Sequence, residues 1–516
     1  MSRKSRLRQQ RKQAARDAQF VALRSAPPEP PAPPQPPVAH ARLWLSAAFL
    51  VPNLGALACG FAFDDRILIV ESEPLHSLRK LAAIWTSGYW PDPRGQELYR
   101  PVVKTLWALE WAIGGGSHPA VYHAVGLALG LAAVLLLYRF LLEVATPPRT
   151  AFIAALLFAL LPIHTEATTS VVGSAETLAA SFALGALILY YRGREAWALV
   201  LFALAVFSKE SAATFAALPL LFPRKDAPRR AQFLAAAGAA AIVAAALAAH
   251  FAVSRGPGTI PAIDNPASLV DPFRRILTAL WVQCLYLSKS VVPLTLSADY
   301  SYKQLPLVMG PDDWRAWAGL ALAAGFVLLA LDRRYRAPVL TYGILFCATD
   351  NILFPIGTIM GERLVYAPSI GLALLAAIWL ARSRYWKHAL VAVALLFGAR
   401  TAIRNLDWLD AKHFYRKLVE TSPASAKSWY SLGVLRASEG DDAGAIQAYD
   451  RAIAIFPAYS EAFHNRGNSL VRLGRRQEAM ESYRQCLRFD PGHAGAAYNL
   501  MQLEAGRPLN PPRKPM

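Results

Sequence analysis

The chain has 516 residues, of which 55% are hydrophobic and only 17% charged, and its formal net charge is +19. A soluble globular protein carries about a quarter charged residues, and here the apolar residues gather into long runs, which excludes a single water-soluble core. The positive charge sits in an N-terminal arm and in short loops between apolar runs, a distribution that fits membrane orientation and argues against a nucleic-acid-binding face.

Residues 1–41 hold Arg3, Lys4, Arg6, Arg8, Arg11, Lys12 and Arg16, followed by a proline tract from Pro27 to Pro37. This composition predicts a disordered cytoplasmic arm, too long and too proline-rich for a signal-peptide n-region. Residues 42–404 then read as a transmembrane domain. The first span is expected from about Leu43 to Phe63, followed by a first outer loop over 64–117. Further apolar runs lie near 118–139, 149–164, 174–191, 231–252, 314–331, 337–356, 364–381 and 388–404. Between Glu195 and Phe222, two short runs flank Ser208-Lys209-Glu210 and predict a pair of short helices whose tip reaches the outer side. Residues 272–292 are interrupted by Arg274, Arg275 and Lys289 and read as an interfacial helix. The pattern predicts about 11 crossings, with the N-terminus inside and the C-terminus outside. Cys59, Cys284, Cys347 and Cys486 form no CxxC pair, so neither a zinc site nor a disulfide framework is expected.

The last region, 405–510, changes character. Pro423, Pro457 and Pro491 recur at the tetratricopeptide (TPR) period of 34 residues. Trp429, Gly433, Ala445, Tyr449 and Pro457 occupy the packing positions of one repeat; Gly467, Ala479, Tyr483 and Pro491 occupy those of the next. Small residues allow paired helices to approach, and aromatics fill the groove between repeats. Such an array either holds a peptide acceptor or a partner protein, or only caps the outer face.

The polar residues that could carry chemistry fall on the predicted outer side. Phe63-Asp64-Asp65-Arg66 follows the first span, and Tyr99-Arg100-Pro101 closes the loop after it. Leu161-Pro162-Ile163-His164-Thr165-Glu166-Ala167 and Val172-Gly173-Ser174-Ala175-Glu176 join two spans. Ser208-Lys209-Glu210 forms the hairpin tip, and Gly361-Glu362-Arg363-Leu364-Val365-Tyr366 opens a later span. A carboxylate at such a surface can act as general base toward a hydroxyl. A fixed cation can stabilise a leaving phosphate; Arg363 is the first candidate, then Arg100 and Lys209. Glu362 and Glu210 are expected to orient those cations, and His164, Glu166 and Glu176 to shape the pocket. Asp64, Asp65 and Glu166 could gather a divalent ion, since carboxylate oxygens suit magnesium or manganese.

In order along the chain, these segments resemble the transmembrane-and-TPR-containing O-mannosyltransferase family. Its members carry an F-x-[WY]-D-D stretch, Y-R-P, H-P-I-H-T-E-A-V, V-V-G-R-A-E-L-L, S-K-E and E-R-[LV]-x-Y-x-P-S. Leu296-Ser297-Ala298-Asp299-Tyr300-Ser301 matches a further L-S-x-D-[WY]-S stretch. The chain departs from the pattern at Phe63, at Leu161 in place of the first histidine, and at Ser174 in place of arginine. The resemblance implies an all-α polytopic GT-C bundle ending in a TPR α-solenoid. It also implies a polyprenyl-phosphate-linked sugar donor, possible transfer of mannose with inversion to a protein or glycan acceptor, and an acidic base in the first outer loop, here Asp64 or Asp65. The expected setting is the bacterial inner membrane with the TPR domain in the periplasm. Two other classes compete. A transporter would show inverted repeats and broken midplane helices, and a TPR scaffold would need only an anchor.

Overall fold

The computed structural model describes residues 38–91, 98–114, 116, 118–253, 260–509 and 511. The basic arm up to residue 37 lies outside them. Among the described residues every regular element is a helix. In chain order these are α1 (Ala41–Asn53), α2 (Pro101–Ile113), α3 (Pro119–Glu143), α4 (Pro148–Leu160), α5 (Ser174–Tyr191) and α6 (Glu195–Ser208). Next come α7 (Arg229–Val253), α8 (Pro272–Val291), α9 (Trp314–Leu331), α10 (Arg333–Phe346), α11 (Ser369–Leu380) and α12 (Trp386–Asn405). The TPR region follows as α13 (Ala411–Thr421), α14 (Ala426–Glu439), α15 (Asp442–Ile455), α16 (Ser460–Arg472), α17 (Arg476–Phe489) and α18 (Ala494–Glu504).

Burial sorts the first twelve helices. A helix apolar on every face belongs in the interior or in lipid. Helix α4 takes the interior: Phe152, Ile153, Ala154, Ala155 and Phe158 are all buried. Helix α7 is equally apolar, yet none of its residues is buried. Its surface, with Trp314, Trp317, Leu328 and Leu331 exposed on α9, needs a lipid solvent. The chain is a multi-pass membrane protein.

By length and composition, the described helices account for only part of the 11 or so crossings expected. Six described helical segments are long and apolar enough to cross, or seven when Pro148–Leu160 and Pro162–Thr168, bent by 54°, count as one span. Helices α6 and α11 are apolar but shorter. A 14-residue helix reaches only about 21 Å at 1.5 Å per residue, against roughly 30 Å of hydrocarbon. Helix α8 does not qualify as a crossing; its start is fixed by Pro272 in the first turn and by Asp271, which accepts from the Phe273 and Arg274 N–H groups. All four cysteines are free thiols.

The TPR pattern folds as its spacing predicts. Each periodic proline follows a helix end by two residues: Pro423 after Thr421, Pro457 after Ile455, Pro491 after Phe489. A Cβ on Gly433 would stand 2.5 Å from the Tyr449 ring, and one on Gly467 2.5 Å from the Tyr483 ring. Ala445 and Ala479 are fully buried beside them. The Trp429 indole N–H donates to the Pro423 carbonyl at 2.9 Å, closing the first repeat.

Candidate active site

The two neighbouring aspartates do different things. Phe63, just before them, has φ +56°, a left-handed conformation uncommon for a bulky residue. Asp65 turns inward and is buried. Its Oδ1 accepts the Val172 N–H at 2.9 Å and the Ser170 hydroxyl at 3.4 Å, and its Oδ2 accepts the Ala62 N–H at 3.2 Å. It staples the first loop to the 165–173 turn. Burial pushes its carboxyl up to about 7, against the pull of those N–H donors. Asp64 is half-buried, and no described residue donates a hydrogen bond to it. Its enclosure raises its carboxyl above the ordinary value, while Arg363 and Lys427 pull it down. Of the two candidate bases, Asp64 is the one with oxygens to spare.

The cations around it are held by carboxylates. Glu166 accepts the Arg363 Nη1–H at 2.7 Å and the Arg363 backbone N–H at 2.9 Å. Arg363 is 30% exposed, and its Nε and Nη2 donate to no described residue, so one edge of the fork is open to a ligand. Arg100 is gripped by Glu210 (Nε to Oε2, 2.8 Å) and lies over the Tyr89 ring at 4.9 Å. Glu210, drawn down by the Arg100 charge against its own burial, sits at about 2. Lys209 pairs with Glu176, both buried. Arg100 and Lys209 thus each have a carboxylate partner.

Two expected roles change. Glu362 does not orient Arg363. Its Oε1 accepts the Ser297 N–H at 2.7 Å and the Tyr300 hydroxyl, and its Oε2 faces Arg404 at 3.4 Å. Adjacent residues on a short 3₁₀ turn point apart, so Glu362 serves Arg404 and Glu166 serves Arg363. His164 is buried, its Nε2 2.9 Å from the Ser369 hydroxyl, with its ring against Phe158 and Tyr366. It ties the bent α4 segment to α11. Ser174, where the family pattern has arginine, accepts the Trp107 indole N–H at 3.1 Å.

The divalent-ion set Asp64, Asp65 and Glu166 is not assembled, because Asp65 is committed to backbone N–H groups and Glu166 to Arg363. Among the described residues the one group of three potential ligands within 4.8 Å is Glu461, His464 and His493. There His493 Nδ1 accepts the Ala496 N–H at 3.1 Å, which puts the proton on the Nε2 that faces Glu461. That arrangement is a helix cap, and it opposes Nε2 ligation.

Comparison with known proteins follows the same map. The model of the TMTC protein O-mannosyl-transferase family, DUF1736, matches residues 257–327, and TPR models match 426–459 and 460–493. A protein O-mannosyl-transferase TMTC4 of Mus musculus is 27% identical over 465 residues, covering 75% of this chain and 63% of its own length. Caenorhabditis elegans F38B6.6, also a protein O-mannosyl-transferase, is 27% identical, with 81% and 63% covered. Human TMTC3 is 25% identical, with 83% and 53% covered. The chain thus spans 63% or less of the length of these curated relatives. An Archaeoglobus fulgidus oligosaccharyltransferase structure aligns at TM-score 0.36 and 16% identity, over 79% of this chain and 58% of that one.

Asp264 and the 299–303 stretch do something the motifs did not announce: they fasten the TPR array to the bundle. Asp299 accepts from the Ser301 N–H at 2.9 Å and from the Ser428 and Ser425 hydroxyls. The Ala426 N–H donates to the Tyr302 carbonyl at 2.7 Å, and the Lys303 N–H to the Ala424 carbonyl at 3.0 Å. Lys427, between those anchors, reaches Asp264 at 2.6 Å. Sequence reasoning missed Lys427, Asp264, Arg404 and Tyr89. Lys427 occupies a surface-type position of an ordinary repeat, and Arg404 reads as the basic end of an apolar run.

Proposed function

We propose that this chain is a membrane glycosyltransferase with a GT-C-type bundle, moving a sugar from a polyprenyl-phosphate carrier to a hydroxyl acceptor with inversion. The supporting observation is Asp64: a carboxylate without a hydrogen-bond donor, beside an arginine whose outer edge is open. Asp64 takes the proton from the acceptor hydroxyl while that oxygen bonds to the anomeric carbon. The bond from that carbon to phosphate breaks on the opposite face, and its electron pair leaves on the phosphate oxygen. Arg363 meets the growing charge, with Arg100 behind it. The names of the mouse, worm and human relatives make mannose the first sugar to test and protein Ser/Thr the first acceptor.

The Asp64–Arg363 site lies where α5 and α11 begin, whereas Arg192 and Arg382 follow their opposite ends. By the positive-inside rule the end that holds the site is extracytoplasmic, with the N-terminal arm in the cytoplasm. In a bacterial inner membrane the TPR array would stand in the periplasm and contact acceptor proteins.

The test is transfer in vesicles from polyprenyl-phosphate-mannose to a Ser/Thr peptide. Asp64→Asn is expected to lower turnover by about a thousandfold or more with membrane insertion intact. Undiminished transfer by Asp64→Asn would refute the assignment.

A further inference from the structure

We propose that Lys427, on the first full TPR helix, is a positioning residue of the candidate site, holding Asp64 ionised from the TPR side near neutral pH. The inference rests on Asp64 being the base.

The geometry is specific about this lysine. Its Nζ pairs with Asp264 at 2.6 Å and lies 5.9 Å from the centre of the Phe63 ring, the residue before Asp64. Its chain neighbours are locked on both sides: Ala426 by the backbone bond to Tyr302, Ser428 by Asp299. The N-cap Ser425, which accepts the Ser428 N–H, is held by the same Asp299. Phe63 also packs on Phe414 of α13, with ring centres 5.7 Å apart. The register of α14 is therefore fixed at the residue that brings a cation beside Phe63 and Asp264. A cap that merely covered the bundle would need no charge there.

The groups acting on Asp64 come from five surroundings. Arg363 and Glu166 face it from the turn pair over 162–173 and 361–366, Lys427 from α14, and Asp264 from the loop before α8. Asp65 adjoins it, Tyr89 faces it from the first loop, and Tyr415 from α13. Arg363 and Lys427 are the cations that favour the charged form, and Glu166 and Asp264 oppose it. Arg363 is required for the donor phosphate in this reading. Lys427 is free of that duty and is the cation whose removal isolates the charge of the base.

The experiment measures the pH profile of turnover for the full-length chain in vesicles, using polyprenyl-phosphate-mannose and a Ser/Thr peptide. A base works only when deprotonated, so activity falls as pH drops through its pKa. Lys427→Met removes an opposite charge and should move the acid limb to higher pH by about one unit, lowering turnover on that limb about tenfold while the alkaline plateau recovers. Lys427→Arg should restore the limb. Asp264→Asn removes a carboxylate that opposes ionisation and should move the limb the other way, which supplies a second reading if Lys427→Met does not fold. A uniform loss at every pH with an unmoved limb would overturn the proposal, as would an unmoved limb in Asp264→Asn. If Asp64→Asn is inactive while those limbs stay fixed, the base survives and the role of Lys427 does not. If Asp64→Asn is fully active, both fall.

Discussion

Residues 362 and 363 are neighbours, yet they enter two networks of opposite character. The network of Glu362 is closed: both carboxylate oxygens are taken, by Ser297, Tyr300 and Arg404, and Arg404 also pairs with Asp407 and covers Trp408 at 4.5 Å. The network of Arg363 is open: Glu166 satisfies one nitrogen of the fork, and Asp64 beside it has no donor. Buried charge is tolerated only when paired and hydrogen-bonded. Glu362 has both oxygens satisfied without a ligand and holds the fold together, although the Arg404 Nε beside it is buried without a partner; the exposed edge of Arg363 is where a ligand completes the set.

The largest expected effect tests the closed side. Glu362→Ala leaves the Arg404 guanidinium buried beside a hole, and breaking such a pair costs about 3–5 kcal/mol. The melting temperature in detergent should fall steeply, with loss of folded protein. A stable, fully active Glu362→Ala would place this network outside the framework.

Next comes the open side. Arg363→Lys, which keeps a cation beside the buried Glu166 but loses the open edge of the fork, should lower turnover with the lipid-linked donor by about 10²-fold, the scale of removing one oxyanion-type donor, while changing the melting temperature little. The two substitutions sharpen the comparison because their readouts cross: one moves stability, the other turnover. Were Arg363→Lys to melt as early as Glu362→Ala, the distinction between the networks would be gone.

Much of this was legible from residues. The interval of 34 between prolines gave the repeats, because helix-pair packing requires a small residue opposite an aromatic once per period, and Gly433 under Tyr449 is that contact. The site segments were legible as polar islands between apolar runs. The partners within them were not. Glu166 lies 197 positions from Arg363, and only the bend between α4 and the 165–168 turn brings them together. Adjacency also misled: the pair Glu362-Arg363 reads as an ion pair in sequence, but consecutive side chains on a 3₁₀ turn diverge. Which apolar runs cross was less legible, because a run gives no measure of helix length when a turn such as Pro162–His164 breaks it.

A smaller effect separates the two aspartates. Burial raises the Asp65 carboxyl to about 7 in the folded chain, against roughly 3.9 when unfolded. Between those values the folded state binds the extra proton. The stability this lends is fully present below about pH 4 and is lost as pH rises through 7. Asp65→Asn cannot ionise, so the melting advantage of the wild type over it should shrink from pH 5 to pH 8, by about 1 kcal/mol or more. A difference that stays flat with pH would mean Asp65 is ionised in the fold throughout.

A last effect, local to its repeat, concerns the array away from the candidate site. Gly467→Ala pushes a methyl toward the Tyr483 ring, which is also held by Asn468 and Asn499, so the ring cannot step aside without losing hydrogen bonds. Overpacking of this kind costs about 1–3 kcal/mol. Repeat solenoids transmit stability mainly between neighbours, so α16 to α18 should loosen while α14, clamped by Asp299, stays in place. Limited proteolysis should therefore cut after residue 459 sooner than in the wild type, with transfer to a short peptide unchanged. If transfer falls in step with cleavage, the outer repeat is coupled to the cavity, and the boundary between the clamped and the free part of the array has to move outward.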